Sequence, residues 1–217
     1  MEHGEGETAG QIIILNGAPR SGKSSIVEAV QAGFDGVWVN LGADAYVRHV
    51  TPARYRPGIG LRPGGERPDL EPLVPRFYAA LYDSIAAHSR LGFNIVAEFG
   101  HHDAYSRPLG ILADCARQLA GLPAFFVGVR CPLDVVMQRR LAEGPERRGV
   151  YVAVEAGAPI PAPVIAWQEH VHRPGIYDLE VDTSMKSPQA CAEEIKQALE
   201  RGIPRPSAFE QLAAGGC

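Results

Sequence analysis

A short apolar run, Q-I-I-I-L-N from Gln11 to Asn16, passes directly into G-A-P-R-S-G-K-S from Gly17 to Ser24. Consecutive isoleucines suit a strand buried on both faces. The loop that follows fits G-x-x-x-x-G-K-[S/T], and Ile26, Val27 and Val30 then recur at helical spacing. Strand, glycine loop and helix together form the context in which this pattern binds phosphate. Gly17 and Gly22 allow the backbone to turn so that successive N–H groups point inward, and the helix N-terminus adds partial positive charge. The loop Gly17, Ala18, Pro19, Arg20, Ser21, Gly22, Lys23, Ser24 and Ser25 is therefore expected to hold ATP. Lys23 is expected to bridge the β- and γ-phosphates, and the Ser24 hydroxyl to ligate Mg2+.

Apolar strand signals recur at Val37–Leu41, Phe93–Phe99, Ala124–Val129 and Tyr177–Val181. Between and beyond them, helical spacing covers Ser24–Ala32, Ala43–His49, Phe77–Leu91, Leu109–Leu119, Leu133–Leu141, Pro163–His172 and Pro188–Glu200. Such alternation predicts parallel strands joined by right-handed crossovers, a three-layer α/β sandwich of one domain over residues 11–202. Residues 1–10 read as a flexible lead-in. Residues 51–75 read as a Pro-rich insertion without regular structure, since Pro52, Pro57, Pro63, Pro68, Pro72 and Pro75 punctuate them. Residues 203–217, with Pro204, Pro206 and a Gly-Gly-Cys end, read as a loose tail.

The formal net charge of −4 gives no electrostatic footprint for nucleic acid or an anionic membrane, and no apolar run approaches the length of a membrane span. No C-x-x-C pair occurs among Cys115, Cys131, Cys191 and Cys217, and the N-terminus has no signal-peptide pattern. A reducing, cytoplasmic location is expected.

Asp44 follows the second strand, at the end that opens onto a ligand crevice in a parallel sheet. It is a candidate to orient an attacking hydroxyl and accept its proton, and equally a candidate helix N-cap. Glu98 ends the third strand and is placed to hold Mg2+ through water, to touch substrate, or simply to meet solvent. Asp182, ending the fifth strand, is expected to serve a structural or nucleotide-loop role. Arg139, Arg140, Arg147 and Arg148 lie in an Arg/Glu/Gly segment near 139–149, where a closing lid could spread phosphate charge, or a solvated helix end could sit. His101 and His102, with Asp103 and Tyr105, are expected to line an acceptor pocket rather than a metal site. Four arginines, Arg54, Arg56, Arg62 and Arg67, make the Pro-rich segment a candidate acceptor-side loop for a polar or anionic compound.

With these residues placed, the chain resembles the chloramphenicol phosphotransferase family. The resemblance rests on I-I-L-N-G at Ile13–Gly17, G-K-S at Gly22–Ser24, Asp44, V-G-V-R-C at Val127–Cys131 and Y-D-L-E-V-D-T-S at Tyr177–Ser184. It implies a five-stranded parallel sheet and ATP-dependent phosphorylation of a hydroxyl on a small molecule such as a drug. It also implies Asp44 as catalytic base and the arginine segment as lid. Two departures stand out. Gly42 occupies the place of the first aspartate in the D-x-D of the related shikimate-kinase type, and Ala97–Glu98 stand where two adjacent aspartates are expected. A nucleoside or other metabolite kinase, and a nucleotide-binding regulator with slow hydrolysis, are the alternative readings.

Overall fold

A computed structural model describes residues 8–56, 63, 67–142 and 158–215. Five strands, β1 (Ile12–Asn16), β2 (Trp38–Asn40), β3 (Asn94–Phe99), β4 (Ala124–Arg130) and β5 (Leu179–Asp182), form one sheet in the order β2-β3-β1-β4-β5. Every pairing is parallel, and β1 lies between β3 and β4 with Ile14 opposite both Ala97 and Phe126. The α/β sandwich and the five-stranded parallel sheet expected from the sequence are what the chain forms.

Strand alternation feeds two separate cores. Ile12 and Ile14 of β1 join Ile95, Ala97 and Phe99 of β3 and Phe126 of β4 on one face. That face is covered by α3 (Val74–Arg90), α4 (Ile111–Gln118) and α8 (Ala208–Ala214). Ile13 and Leu15 join Val96, Phe125, Val127 and Val129 on the other, beneath α1 (Lys23–Gly33) and α7 (Pro188–Glu200). Side chains of period two in a strand covered on both faces must be apolar throughout, which is why β1 reads as an unbroken apolar run. The remaining helices, α2 (Ala43–His49), α5 (Leu133–Leu141) and α6 (Ala162–His170), lie toward the C-terminal ends of the strands.

Two expectations need correction. Residues 203–215 do not trail off as a loose tail. Ser207 caps α8, accepting from the Glu210 amide at 3.2 Å while the Glu210 carboxylate accepts from the Ser207 amide at 2.7 Å. Phe209 packs on Phe126 with ring centroids 4.8 Å apart, and Asp178 ties the helix to β4 by accepting from the amides of Ala208 and Phe126. The prolines before Ser207 only turn the chain toward this docking site. Within residues 51–75 there is more order than the proline density predicts. Short 3-10 turns form at Ala53–Tyr55 and Glu71–Leu73, α3 begins at Val74, and Leu70 and Val74 are in the core. Pro75 causes no break because it stands in the first turn of α3, where its missing N–H has no helical partner to lose.

Candidate active site

The loop Gly17–Gly22 leaves the C-terminal end of β1 and turns into α1 through two left-handed residues, Arg20 (φ 74°) and Gly22 (φ 93°). A side chain at position 17 would meet the Val129 carbonyl oxygen at 2.5 Å, so the loop can lie this close to β4 only as glycine. Lys23 folds its ammonium back over the loop, donating to the carbonyls of Gly17 at 2.8 Å and Ala18 at 2.9 Å. Burial pulls its pKa below the ordinary lysine value, while the charges of Glu98 and Asp44 act in the opposite direction. The ammonium thus sits inside the loop, in the field of two carboxylates.

Glu98 faces α1 because it alternates with Ala97 and Phe99, which face the other core. Its Oε2 accepts a 2.8 Å hydrogen bond from the Ser24 hydroxyl. Burial raises the Glu98 pKa, Lys23 lowers it and Asp44 raises it again. Asp44 is exposed and stands in the first turn of α2, whose N-cap is Gly42. It therefore does not cap the helix. Its charge acts on both Lys23 and Glu98.

The two departures noted in the sequence turn out to be one feature. A Cβ at Gly42 would lie 2.8 Å from the Glu98 amide nitrogen and 2.9 Å from its Cγ. The glycine makes room for Glu98, whose carboxylate reaches Ser24 from β3. Ser24 and Glu98 form an all-oxygen pair, the donor type that a hard divalent cation requires. Among the described residues no group of three or more His, Cys, Asp or Glu is placed to hold a metal ion by itself. This pair fits Mg2+ carried in with nucleotide phosphates and water rather than held in a protein cage.

Beside the loop stands an aromatic wall. His102 packs on Tyr105 (4.5 Å between centroids) and edge-on against Trp167 of α6 (4.9 Å), while Trp167 in turn contacts Ala18 and closes over Gly100. The wall is fastened from behind. Buried Glu71 accepts hydrogen bonds from the amide and hydroxyl of Ser106, joining the end of the Pro-rich segment to the loop after β3. Asp103 accepts from the amides of Leu109 and Gly110 just ahead of α4. His101, expected in the pocket, belongs instead to the core. It stacks on Phe99, shares a 2.8 Å hydrogen bond with the Tyr82 hydroxyl, and its backbone N–H donates to Asn16.

Arg139 is placed differently from its expected role. Arg139 does not project from a lid. It sits on α5 with its guanidinium on the carbonyls of Arg20 (3.2 Å) and Thr183 (2.7 Å). Arg140 is buried beneath the same helix, and Arg147 and Arg148 lie outside the described residues. In the Pro-rich segment, Arg56 donates to the carbonyls of Thr51 and Arg48, and Arg67 pairs with Asp69. Arg56 is thus bonded within the protein, and Arg67 stands in a solvent-exposed ion pair. Arg54 lies over the Tyr55 ring, and Arg62 lies outside the described residues.

Sequence reasoning missed Asn16, Glu71, Trp167 and Thr183. Asn16, the polar end of an apolar strand, was the one visible signal. Its side chain donates to the Val171 carbonyl and the Tyr177 hydroxyl and accepts from the His101 amide, binding three segments behind the phosphate loop.

A parallel sheet of order 2-3-1-4-5, with a glycine loop and a lysine at the end of its central strand, is the fold of the P-loop kinases. The sequence profile of chloramphenicol phosphotransferase-like proteins matches residues 10–200, and the chain belongs to that family. A Mycobacterium tuberculosis protein provisionally named an O-phosphotransferase is 25% identical over 220 residues, covering 95% of this chain and 89% of that protein. Among solved structures, Acinetobacter baumannii shikimate kinase in complex with shikimate superposes with a TM-score of 0.57 at 12% identity, covering 91% of this chain and 97% of that one. The Mycobacterium tuberculosis APS kinase in complex with AMPPNP and APS gives 0.53 at 19% identity, covering 88% of this chain and 98% of that one. At these identities the two structures speak for the fold alone. Family and fold together are those of a phosphotransfer enzyme.

Proposed function

We propose that this protein transfers the γ-phosphate of ATP to a hydroxyl group of a small molecule. The observation that carries the reading is the meeting of Lys23 and the Ser24–Glu98 pair at the crevice end of β1 and β3, with Asp44 opening α2 after β2. Lys23 lies inside the loop, Ser24 is bonded to Glu98 at 2.8 Å, and the charge of Asp44 acts on both Lys23 and Glu98.

In this reading the amides of Gly17–Ser25 hold the phosphate oxygens, and Lys23 exchanges its two carbonyl partners for the β- and γ-phosphates. Ser24 would be the protein ligand of Mg2+ and Glu98 would hold its water, and the ion would supply charge neutralisation for the phosphates. Asp44 accepts a hydrogen bond from the acceptor hydroxyl and aligns it. The hydroxyl oxygen forms a bond to the γ-phosphorus, the bond to the β,γ-bridging oxygen breaks, and ADP leaves. The hydroxyl proton passes to Asp44. A loose transition state demands little basicity, so an ordinary carboxylate is sufficient. The aromatic wall of His102, Tyr105 and Trp167 shields the crevice from water.

Acceptor-dependent ADP release tests this reading, with products identified by mass. Chloramphenicol, other hydroxylated antibiotics and hydroxylated metabolites form the panel, and a drug acceptor would make the reaction an antibiotic inactivation. The unaltered chain is expected to add one phosphate to at least one acceptor, and Lys23→Ala to abolish transfer with an unchanged thermal midpoint. Near-normal turnover in a folded Lys23→Ala variant would overturn the assignment.

A further inference from the structure

We propose that Thr183, backed by Arg139, sets the shape of the phosphate-binding loop, and that Arg139 is a positioning residue rather than a lid group on the γ-phosphate. The inference rests on the reading above that this loop holds nucleotide phosphates.

Thr183 follows β5 directly and is buried. Its amide donates to the Arg130 carbonyl at 3.1 Å, which anchors it to the end of β4. Its hydroxyl lies 2.6 Å from the Ser21 carbonyl and 3.4 Å from that of Arg130. A hydroxyl has one proton, and the shorter contact takes it, so Thr183 donates to Ser21. Its oxygen then accepts from Arg139 Nη1 at 3.1 Å. The same guanidinium donates to the carbonyls of Thr183 at 2.7 Å and Arg20 at 3.2 Å and approaches Cys131 Sγ at 3.4 Å. Two successive carbonyls of the phosphate loop are thereby tied to β4, β5 and α5.

What this does follows from the peptide plane. In a trans peptide the C=O and the N–H point in opposite directions. Tying the Ser21 carbonyl to Thr183 therefore aims the Gly22 N–H the other way, into the loop. Tying the Arg20 carbonyl to a cation helps to hold Arg20 in the left-handed conformation that a residue with a Cβ rarely adopts. The clamp fits flush: a Cβ at Gly22 would meet Arg139 Nη1 and Thr183 Cγ2 at 3.4 Å each. A guanidinium occupied by fixed neutral oxygens costs no reorganisation when nucleotide enters, whereas a lid arginine would have to travel to it.

The two roles differ in what they do to ADP. A clamp shapes the seat of phosphates that ADP and ATP share, while a γ-phosphate contact is lost on ADP. Calorimetric titration of the full chain with Mg·ADP and with a non-hydrolysable Mg·ATP analogue separates them. Thr183→Val and Arg139→Met are each expected to weaken both ligands by a similar factor, about five- to tenfold for one hydrogen-bonded support. The double variant should lose little beyond the weaker single, since the groups act as one unit. Thr183→Ser, which keeps the hydroxyl, should bind as the unaltered chain does. Unchanged ADP affinity in Arg139→Met with slowed transfer would assign Arg139 to the γ-phosphate and overturn the proposal. So would wild-type affinity in Thr183→Val, or losses that multiply in the double variant. Should Arg139→Met fail to fold, the Thr183 pair decides alone. The binding readout needs no acceptor, so failure to phosphorylate any acceptor would count against the proposed reaction only. An unaltered chain that binds no ADP would overturn both.

Discussion

At the scale of single residues, the site is a contest between groups that must be near phosphate and the cost of keeping them there without it. Lys23 and Ser24 solve it by bonding to the protein itself, Lys23 to two loop carbonyls and Ser24 to Glu98. Asp44 has no such duty, because Gly42 and not Asp44 caps α2. Asp44→Asn is therefore expected to lower turnover by about a hundredfold or more, in the range of a lost proton acceptor. Nucleotide affinity and the thermal midpoint should hardly change. A variant that keeps its turnover would remove Asp44 from the chemistry. Gly42 makes the opposite case, a residue with no chemistry and a strict spatial role. Gly42→Ala would drive a methyl against the Glu98 backbone, where nothing can swing aside. An overpacking cost of about 1–3 kcal/mol is expected, measured by urea unfolding. Loss of metal-dependent nucleotide binding should accompany it, because Glu98 must shift away from Ser24. A stable variant with normal Mg2+ dependence would show that the glycine was not making room.

At the scale of elements, helices that look peripheral in sequence fasten the sheet and its crevice from outside. Trp167 of α6 covers Gly100 and touches Ala18, so α6 closes directly on the phosphate loop. The last helix is fastened to β4. Phe209 is buried against Phe126, and Asp178 joins α8 to β4 through two amides. Phe209→Ala is expected to cost about 3–5 kcal/mol, as for other buried aromatic truncations. Chemical denaturation would read this. A cost below about 1 kcal/mol, the range of an exposed site, would mean that α8 is only loosely attached.

Across the whole molecule, pH acts through buried His101 and half-buried His172. Burial holds His101 down to about 3 and His172 to about 4, against an ordinary value of 6.5. His172 Nδ1 shares a 2.8 Å hydrogen bond with the Tyr177 hydroxyl, which also accepts from Asn16. Between pH 6.5 and about 4 the unfolded chain takes up protons at these rings that the folded chain refuses. Stability must therefore fall as pH falls through that window. Glu98 and Asp178, whose pKa values burial raises, oppose this in its lower part because the folded state takes up their protons first. The histidine share is isolated by substitution. His172→Gln is expected to show a smaller drop in urea midpoint between pH 7 and pH 4.5 than the unaltered chain. Parallel profiles for the two proteins would remove His172 from the acid response.

The sequence by itself determined what depends on short-range order. A strand buried on both faces must be continuously apolar, so β1 was legible. A phosphate loop needs glycines at set spacing, so Gly17–Ser24 and the helix behind it were legible too. The alternation of strand and helix restricted the sheet to parallel pairing, which placed Asp44 and Glu98 at the crevice end of their strands. Even the last helix carried a written signal, the S-x-x-E of Ser207–Glu210, outweighed by the prolines before it. What only the tertiary structure decided is which side chains meet across long separations. That a Cβ at Gly42 would meet the Glu98 backbone and Cγ, that Arg139 bonds the carbonyls of Arg20 and Thr183, that His101 is core and His102 is wall: each depends on a partner tens of residues away. Periodicity reports which way a side chain faces, not what stands opposite. Arginine in particular serves a carbonyl, a carboxylate or a phosphate with the same planar fork, and only the packed neighbours choose among them.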